Sequence, residues 1–148
     1  MDKKLLVKVV ESSPYSRHIH MELIEAEKGY AKMSMKIKPC HGNVHGYVHG
    51  GAIASLADQA GMMAIKSMLS CEKRGITIQM DMHYLTPVQG ERLLAVGQVQ
   101  KVGKHLAFSD VELKDEKKKT VALARCTIAI VEEEEDRLQE ILQSREQV

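Results

Sequence analysis

The chain has 148 residues and a formal net charge of +1, the size of one domain with room for a hydrophobic core. With no Trp, a single Phe and no excess of basic residues, it offers neither the electrostatic field nor the stacking platforms of a nucleic-acid binder. Three Cys without paired spacing point to reduced thiols and a cytoplasmic setting, and the apolar run in MDKKLLVKVV is too short for a signal peptide.

Residues 3–13 read as a short amphipathic helix, ended by Ser12, Ser13 and Pro14. Residues 19–27 and 30–38 read as two strands joined at Lys28-Gly29. A loop with three His-Gly pairs follows, at His41, His45 and His49. It runs into Ala52–Leu69, where twelve of eighteen residues are Ala, Ile, Leu or Met and no Pro intervenes. These are strong helix formers, and apolar positions run almost all the way round, as in a buried helix. Asp58, Gln59 and Lys66 interrupt the run, so a membrane span is not expected.

Four strands then follow in series. Ile76, Ile78, Met80, Met82 and Tyr84 alternate with Thr77, Gln79, Asp81 and His83. Pro87 and Gly90 turn the chain into residues 93–101, Gly103-Lys104 turns it into 105–113, and a charged turn at 114–119 leads to 120–131. Short connections between successive strands imply an antiparallel sheet. The Ala/Met helix is the one apolar element large enough to cover a face of it. The expectation is an α+β domain over 1–131, followed by a tail, 132–148, with Leu138, Ile141 and Leu142 at helical spacing.

Chemistry concentrates where the loop meets the helix. Gly50 and Gly51 fall at the helix amino end, where backbone N–H groups lack partners and the dipole is positive. Such an end can steady a developing oxyanion. Asp58 lies about two turns further on, with Ala54, Ser55, Gly61 and Met62 on its face. Alone it reads equally well as a helix carboxylate bonded to a loop. The three loop histidines invite a metal site, but a Gly after each makes the helical spacing moot, and no metal is expected. Cys40, Cys71 and Cys126 read as packing residues.

Asn43, Gly46, His49-Gly50-Gly51 and Leu56-Ala57-Asp58 resemble the signature of the hotdog-fold acyl-CoA thioesterases of the phenylacetic-acid-degradation type. The likeness continues through Thr77, Tyr84-Leu85-Thr86-Pro87, Gly90 and Val102-Gly103-Lys104, so it spans residues 14–131. His20 departs from the pattern, standing where the family often has Gly, and reads as facing solvent.

The resemblance implies a curved antiparallel sheet wrapped around a central helix, and hydrolysis of acyl-coenzyme A thioesters. In that scheme Gly50 N–H polarises the carbonyl, and Asp58 acts as general base or as nucleophile. Asn43 orients water, His49 shapes the loop or contacts the thioester, and Thr77 supplies a strand hydroxyl. Gly51 borders the substrate, and Met62, Met63, Met80 and Met82 are candidates for the acyl pocket. Lys104 is the favoured cation for coenzyme A phosphates, ahead of Arg92, Lys101 and the Lys117-Lys118-Lys119 run. Coenzyme A is part of the substrate, and no cofactor is needed. The resemblance also implies a homodimer, and more fully a tetramer, with Asp58 and Thr77 meeting across the interface. Two rivals remain: a non-catalytic acyl-CoA binding or sensing module, and a hotdog enoyl-CoA hydratase.

Overall fold

The computed structural model describes residues 1–133 and Gln143. Helices α1 (Lys3–Ser12) and α2 (Pro14–His18) precede strands β1 (Met21–Glu27) and β2 (Tyr30–Lys36). A 3₁₀ turn at Pro39–His41 and the glycine loop lead into α3 (Gly50–Lys66). Four strands complete the domain: β3 (Lys73–Tyr84), β4 (Arg92–Val102), β5 (Leu106–Lys114) and β6 (Thr120–Glu132). The Ser13 hydroxyl and Pro14, read as ending one helix, also start another: Ser13 accepts from the Ser16 N–H and Pro14 occupies the first turn. The tail helix expected over 132–148 lies almost wholly outside the described residues.

All strands pair antiparallel in one sheet, in the order β1-β2-β4-β5-β6-β3. Helix α3 crosses its inner face, with Ile53, Leu56, Ala57, Ala60, Met63, Ala64 and Ile65 buried. They meet Met33 and Met35 of β2, Leu93 and Ala95 of β4, Val111 and Leu113 of β5, and Cys126 and Ile128 of β6 in one core. This is the hotdog arrangement. The helix approaches closely because β4 presents a glycine: a Cβ on Gly97 would stand 2.3 Å from the Ala60 carbonyl oxygen. Helix α1 packs against β1 through Leu6 and Val10.

Strand β3 is the edge next to β6, and one irregularity in it decides the site. Between Thr77 and Gln79 the register with β6 shifts, leaving Ile78 as a bulge. A bulge inserts one residue and moves the next to the other face. The alternation read from sequence placed Thr77 opposite to Met80, Met82 and Tyr84. The bulge instead puts them together on the helix side: Thr77 bonds Asp58, Tyr84 bonds Gly50, and Met80 and Met82 pack on the core. Ile76 and Ile78 stay 42% and 57% exposed on an edge that no other described residue covers. Such an edge is a template for pairing.

Candidate active site

The glycine loop is built by its own polar groups. The Asn43 carboxamide oxygen accepts the N–H groups of His45 (2.9 Å) and Tyr47 (3.2 Å), while Asn43 N–H bonds the Tyr47 carbonyl. This is a side-chain-closed turn, with Gly46 at φ 79°. Asn43, which the resemblance assigns to orienting water, thus has its side-chain oxygen engaged in holding the loop.

His49 is the N-cap of α3, with extended backbone, and its Nδ1 accepts the Gly51 N–H at 2.9 Å. Ala52 and Ile53 N–H both bond the His49 carbonyl. Gly51, proposed from sequence as a substrate contact, thus has its donor occupied. The Gly50 N–H is the first-turn donor with no partner among the described residues, so it is the one open to a ligand oxygen at the positive end of the helix. The Tyr84 hydroxyl donates to the Gly50 carbonyl at 3.1 Å, and its ring lies 3.5 Å from where a Gly50 Cβ would stand. The sequence pattern alone assigns Tyr84 no such part. Its contact depends on the bulge and on where the helix begins.

Two turns along α3, Asp58 is half-buried and accepts a 2.7 Å hydrogen bond from the Thr77 hydroxyl. Met62 follows one turn later, its sulfur 2.7 Å from where a Gly75 Cβ would be. Asp58, Thr77, Met62 and Gly75 therefore form one cluster between α3 and β3. The expectation that Asp58 and Thr77 meet across two chains is corrected: they meet within one.

Helix geometry adds a constraint. Asp58 lies eight positions after Gly50, which at 1.5 Å per residue is about 12 Å along the axis. One carbonyl carbon cannot lie within about 3 Å of Asp58 while its oxygen accepts from Gly50 of the same chain.

The other sequence candidates are dispersed. Lys104 is exposed in the β4–β5 turn, two strands away from β3. Lys117, Lys118 and Lys119 lie in a turn organised by Asp115, whose carboxylate accepts from the Lys117 and Lys119 N–H groups. The loop histidines point to separate tasks: His41 is buried, His45 is exposed and His49 caps α3. No group of three potential metal-ligating side chains occurs among the described residues. His20 is exposed, as read. Cys126 is buried, and burial first, then the Asp58 charge, push its thiol up to about 11, which leaves it unionised at neutral pH. A cleft of about 770 Å³ opens on the outer sheet face around Asp81, Asp110, Leu123 and Arg125, behind the sheet from Asp58. No helix among the described residues is long and apolar enough to cross a membrane.

Known proteins resemble this arrangement. The model of the thioesterase superfamily matches residues 45–122, from the glycine loop into β6. A putative esterase of Archaeoglobus fulgidus is 32% identical over 138 residues, covering 89% of this chain and 88% of its own. The medium/long-chain acyl-CoA thioesterase YigI of Escherichia coli is 32% identical over 132 residues, covering 79% and 85%. Among solved structures, the Escherichia coli PaaI protein of the phenylacetic acid degradation operon superposes with TM-score 0.77 at 27% identity, over 83% of this chain and 88% of its own. A Haemophilus influenzae thioesterase superposes with TM-score 0.81 at 18% identity over 89% and 92%, a likeness of fold. By the match of its glycine loop, central helix and following strands, the chain belongs to the thioesterase superfamily.

Proposed function

We propose that the protein hydrolyses acyl-coenzyme A thioesters with a site of the PaaI type, and that each site combines Gly50 of one chain with Asp58 and Thr77 of another. The observation carrying this reading is the Thr77–Asp58 hydrogen bond two turns from a helix end whose Gly50 N–H is unengaged. Mere binding of a thioester does not need a carboxylate held at the reacting carbon, which disfavours a sensing module. A hydratase needs an acid and a base at the α and β carbons, and the nearby His49 is committed to capping.

The Thr77 hydroxyl occupies one lone pair of Asp58 Oδ1, fixing the carboxylate and leaving Oδ2 for chemistry. Water attacks the thioester carbon while Asp58 takes its proton. The oxyanion forms against Gly50 N–H and the helix dipole, worth about 3 kcal/mol for one such donor. Collapse breaks the C–S bond, and the Asp58 proton passes to the departing thiolate, giving free acid and coenzyme A. Direct attack by Asp58, giving a mixed anhydride that water then cleaves, uses the same geometry.

The axial spacing of about 12 Å between Gly50 and Asp58 of one chain supports a site completed by a second copy. Pairing of two β3 edges covers Ile76 and Ile78 and brings a neighbour's chain beside the Asp58–Thr77 cluster. A homodimer is the minimal working unit, and a tetramer of two such dimers agrees with it. The test is a panel of acyl- and aryl-CoA thioesters with detection of free thiol. Release of coenzyme A with multiple turnovers supports hydrolysis. Tight binding without thiol release supports the sensing module.

A further inference from the structure

We infer that His41, which no sequence pattern assigns to the reaction, is a positioning residue that anchors the glycine loop and so aims the Gly50 N–H. The inference rests on the reading of Gly50 as the polarising donor.

His41 is 2% exposed, although it begins a loop that is otherwise mostly at the surface. Its ring Nδ1 accepts the Lys38 N–H at 2.9 Å, and its own N–H bonds the Lys38 carbonyl at 2.9 Å. This double link closes the 3₁₀ turn. Its carbonyl accepts the His49 N–H at 2.7 Å. That bond joins the first and last residues of the loop, beside the Gly42–Val48 bridge. His49 then caps α3. A chain of three short contacts thus runs from the buried ring to the residue preceding Gly50.

The chemistry of the ring restricts how it can serve. With Nδ1 accepting, the proton of neutral imidazole sits on Nε2. Nε2 is buried without a hydrogen bond of good geometry among the described residues. The His20 ring stands edge-on at 6.1 Å, and His18 is the other titratable side chain acting on it. A purely structural core position is better filled by an apolar side chain, since a buried polar atom without a partner costs free energy. What the imidazole supplies that an apolar residue cannot is an acceptor at Nδ1.

That distinction gives the test. In His41→Asn the side-chain oxygen falls near the Nδ1 position. In His41→Gln, of similar bulk, it falls near Nε2. Amide hydrogen exchange and steady-state kinetics are measured on both full-length variants. The expected result is that the Gln variant exchanges its His49 and Gly51 amides at least tenfold faster, with β5 amides unchanged. Its kcat falls at least tenfold with KM within about threefold, and the Asn variant recovers most of both losses. Unchanged exchange at His49 and Gly51 in the Gln variant overturns the anchor. So does equal acceleration at β5, which makes His41 an ordinary core residue. Faster loop exchange with kcat unchanged instead overturns the role given to Gly50, and with it the catalytic part of the inference.

Discussion

The Thr77 hydroxyl donates to Asp58 Oδ1 at 2.7 Å, tying an edge strand to the central helix within one chain. If that bond orients the carboxylate, Thr77→Ala lowers kcat by about 10- to 100-fold, the range expected for losing a hydrogen bond to a charged group. Thr77→Ser retains the hydroxyl and most of the rate. Asp58→Asn is near-isosteric but supplies neither a base nor a nucleophile, so turnover falls at least about 100-fold with the fold intact. Steady-state thiol release checks all three, and circular dichroism checks the fold. An Asp58→Asn protein within tenfold of wild type would remove Asp58 from the mechanism.

The sequence and the structure agree where periodicity is strong and local chemistry is unambiguous. The Ala/Met run of α3, the Lys28-Gly29 turn with Gly29 at φ 78°, and the strand series all follow from propensity and turn residues. The end of α3 shows the limit, since the apolar run extends to Leu69 while the helix stops at Lys66. The resemblance points to Gly50, Asp58 and Thr77, but the periodicity of β3 put Thr77 on the wrong face, because a bulge at Ile78 leaves no mark in an alternating pattern. Tyr84 on Gly50 and the buried anchor at His41 depend on contacts between distant segments, which no local pattern encodes. Asn43 and Gly51 match the signature, and the structure uses the Asn43 side-chain oxygen in the loop and the Gly51 N–H in the cap.

The close approach of α3 to β4 predicts a sharp stability effect. Gly97→Ala places a methyl group 2.3 Å from the Ala60 carbonyl oxygen, against backbone that cannot swing aside as a side chain would. Destabilisation of about 1–3 kcal/mol or more is expected, as for overpacking in a tight core. Chemical denaturation measures it, and a midpoint equal to wild type would mean that helix and sheet are further apart.

Stability also depends on pH through His41. Burial, then the neighbouring His20 charge, holds its pKa below the ordinary 6.5, with the Ile19 carbonyl acting in the other direction. As pH falls below 6.5 the unfolded chain takes up this proton first, so folding stability is lost on acidification until the folded protein is protonated too. The contribution is fully present above pH 6.5. His41→Asn removes this part of the loss, so its melting temperature falls less than that of wild type between pH 7 and pH 5. Equal slopes for the two proteins would show that His41 does not titrate differently on folding.

The three thiols differ in access and charge. Cys40 and Cys71 are exposed, whereas Cys126 is buried and its thiol is pushed up to about 11. Iodoacetamide at pH 7.5 is expected to label Cys40 and Cys71 in the native protein and to reach Cys126 after unfolding. Thioester hydrolysis is expected to survive that labelling, because the proposed mechanism uses no thiol. Peptide mass mapping and an assay before and after labelling measure both.

The central claim is that one site needs Gly50 of one chain and Asp58 of another. Gly50→Pro removes the N–H at the first helical position, where proline is tolerated. His49 already has the extended backbone that a following proline prefers, at φ −62° and ψ 136°. Gly50→Pro and Asp58→Asn proteins, each nearly inactive, are co-expressed with different tags and the mixed oligomer is purified on both. In a mixed dimer one site carries both lesions and the other carries neither, so about half of the wild-type activity per dimer returns. An Asp58→Asn and Thr77→Arg pair treated in the same way recovers nothing, because those two residues serve one site from one chain. Recovery in the second pair and none in the first, with mixed oligomers verified by mass, would contradict the account.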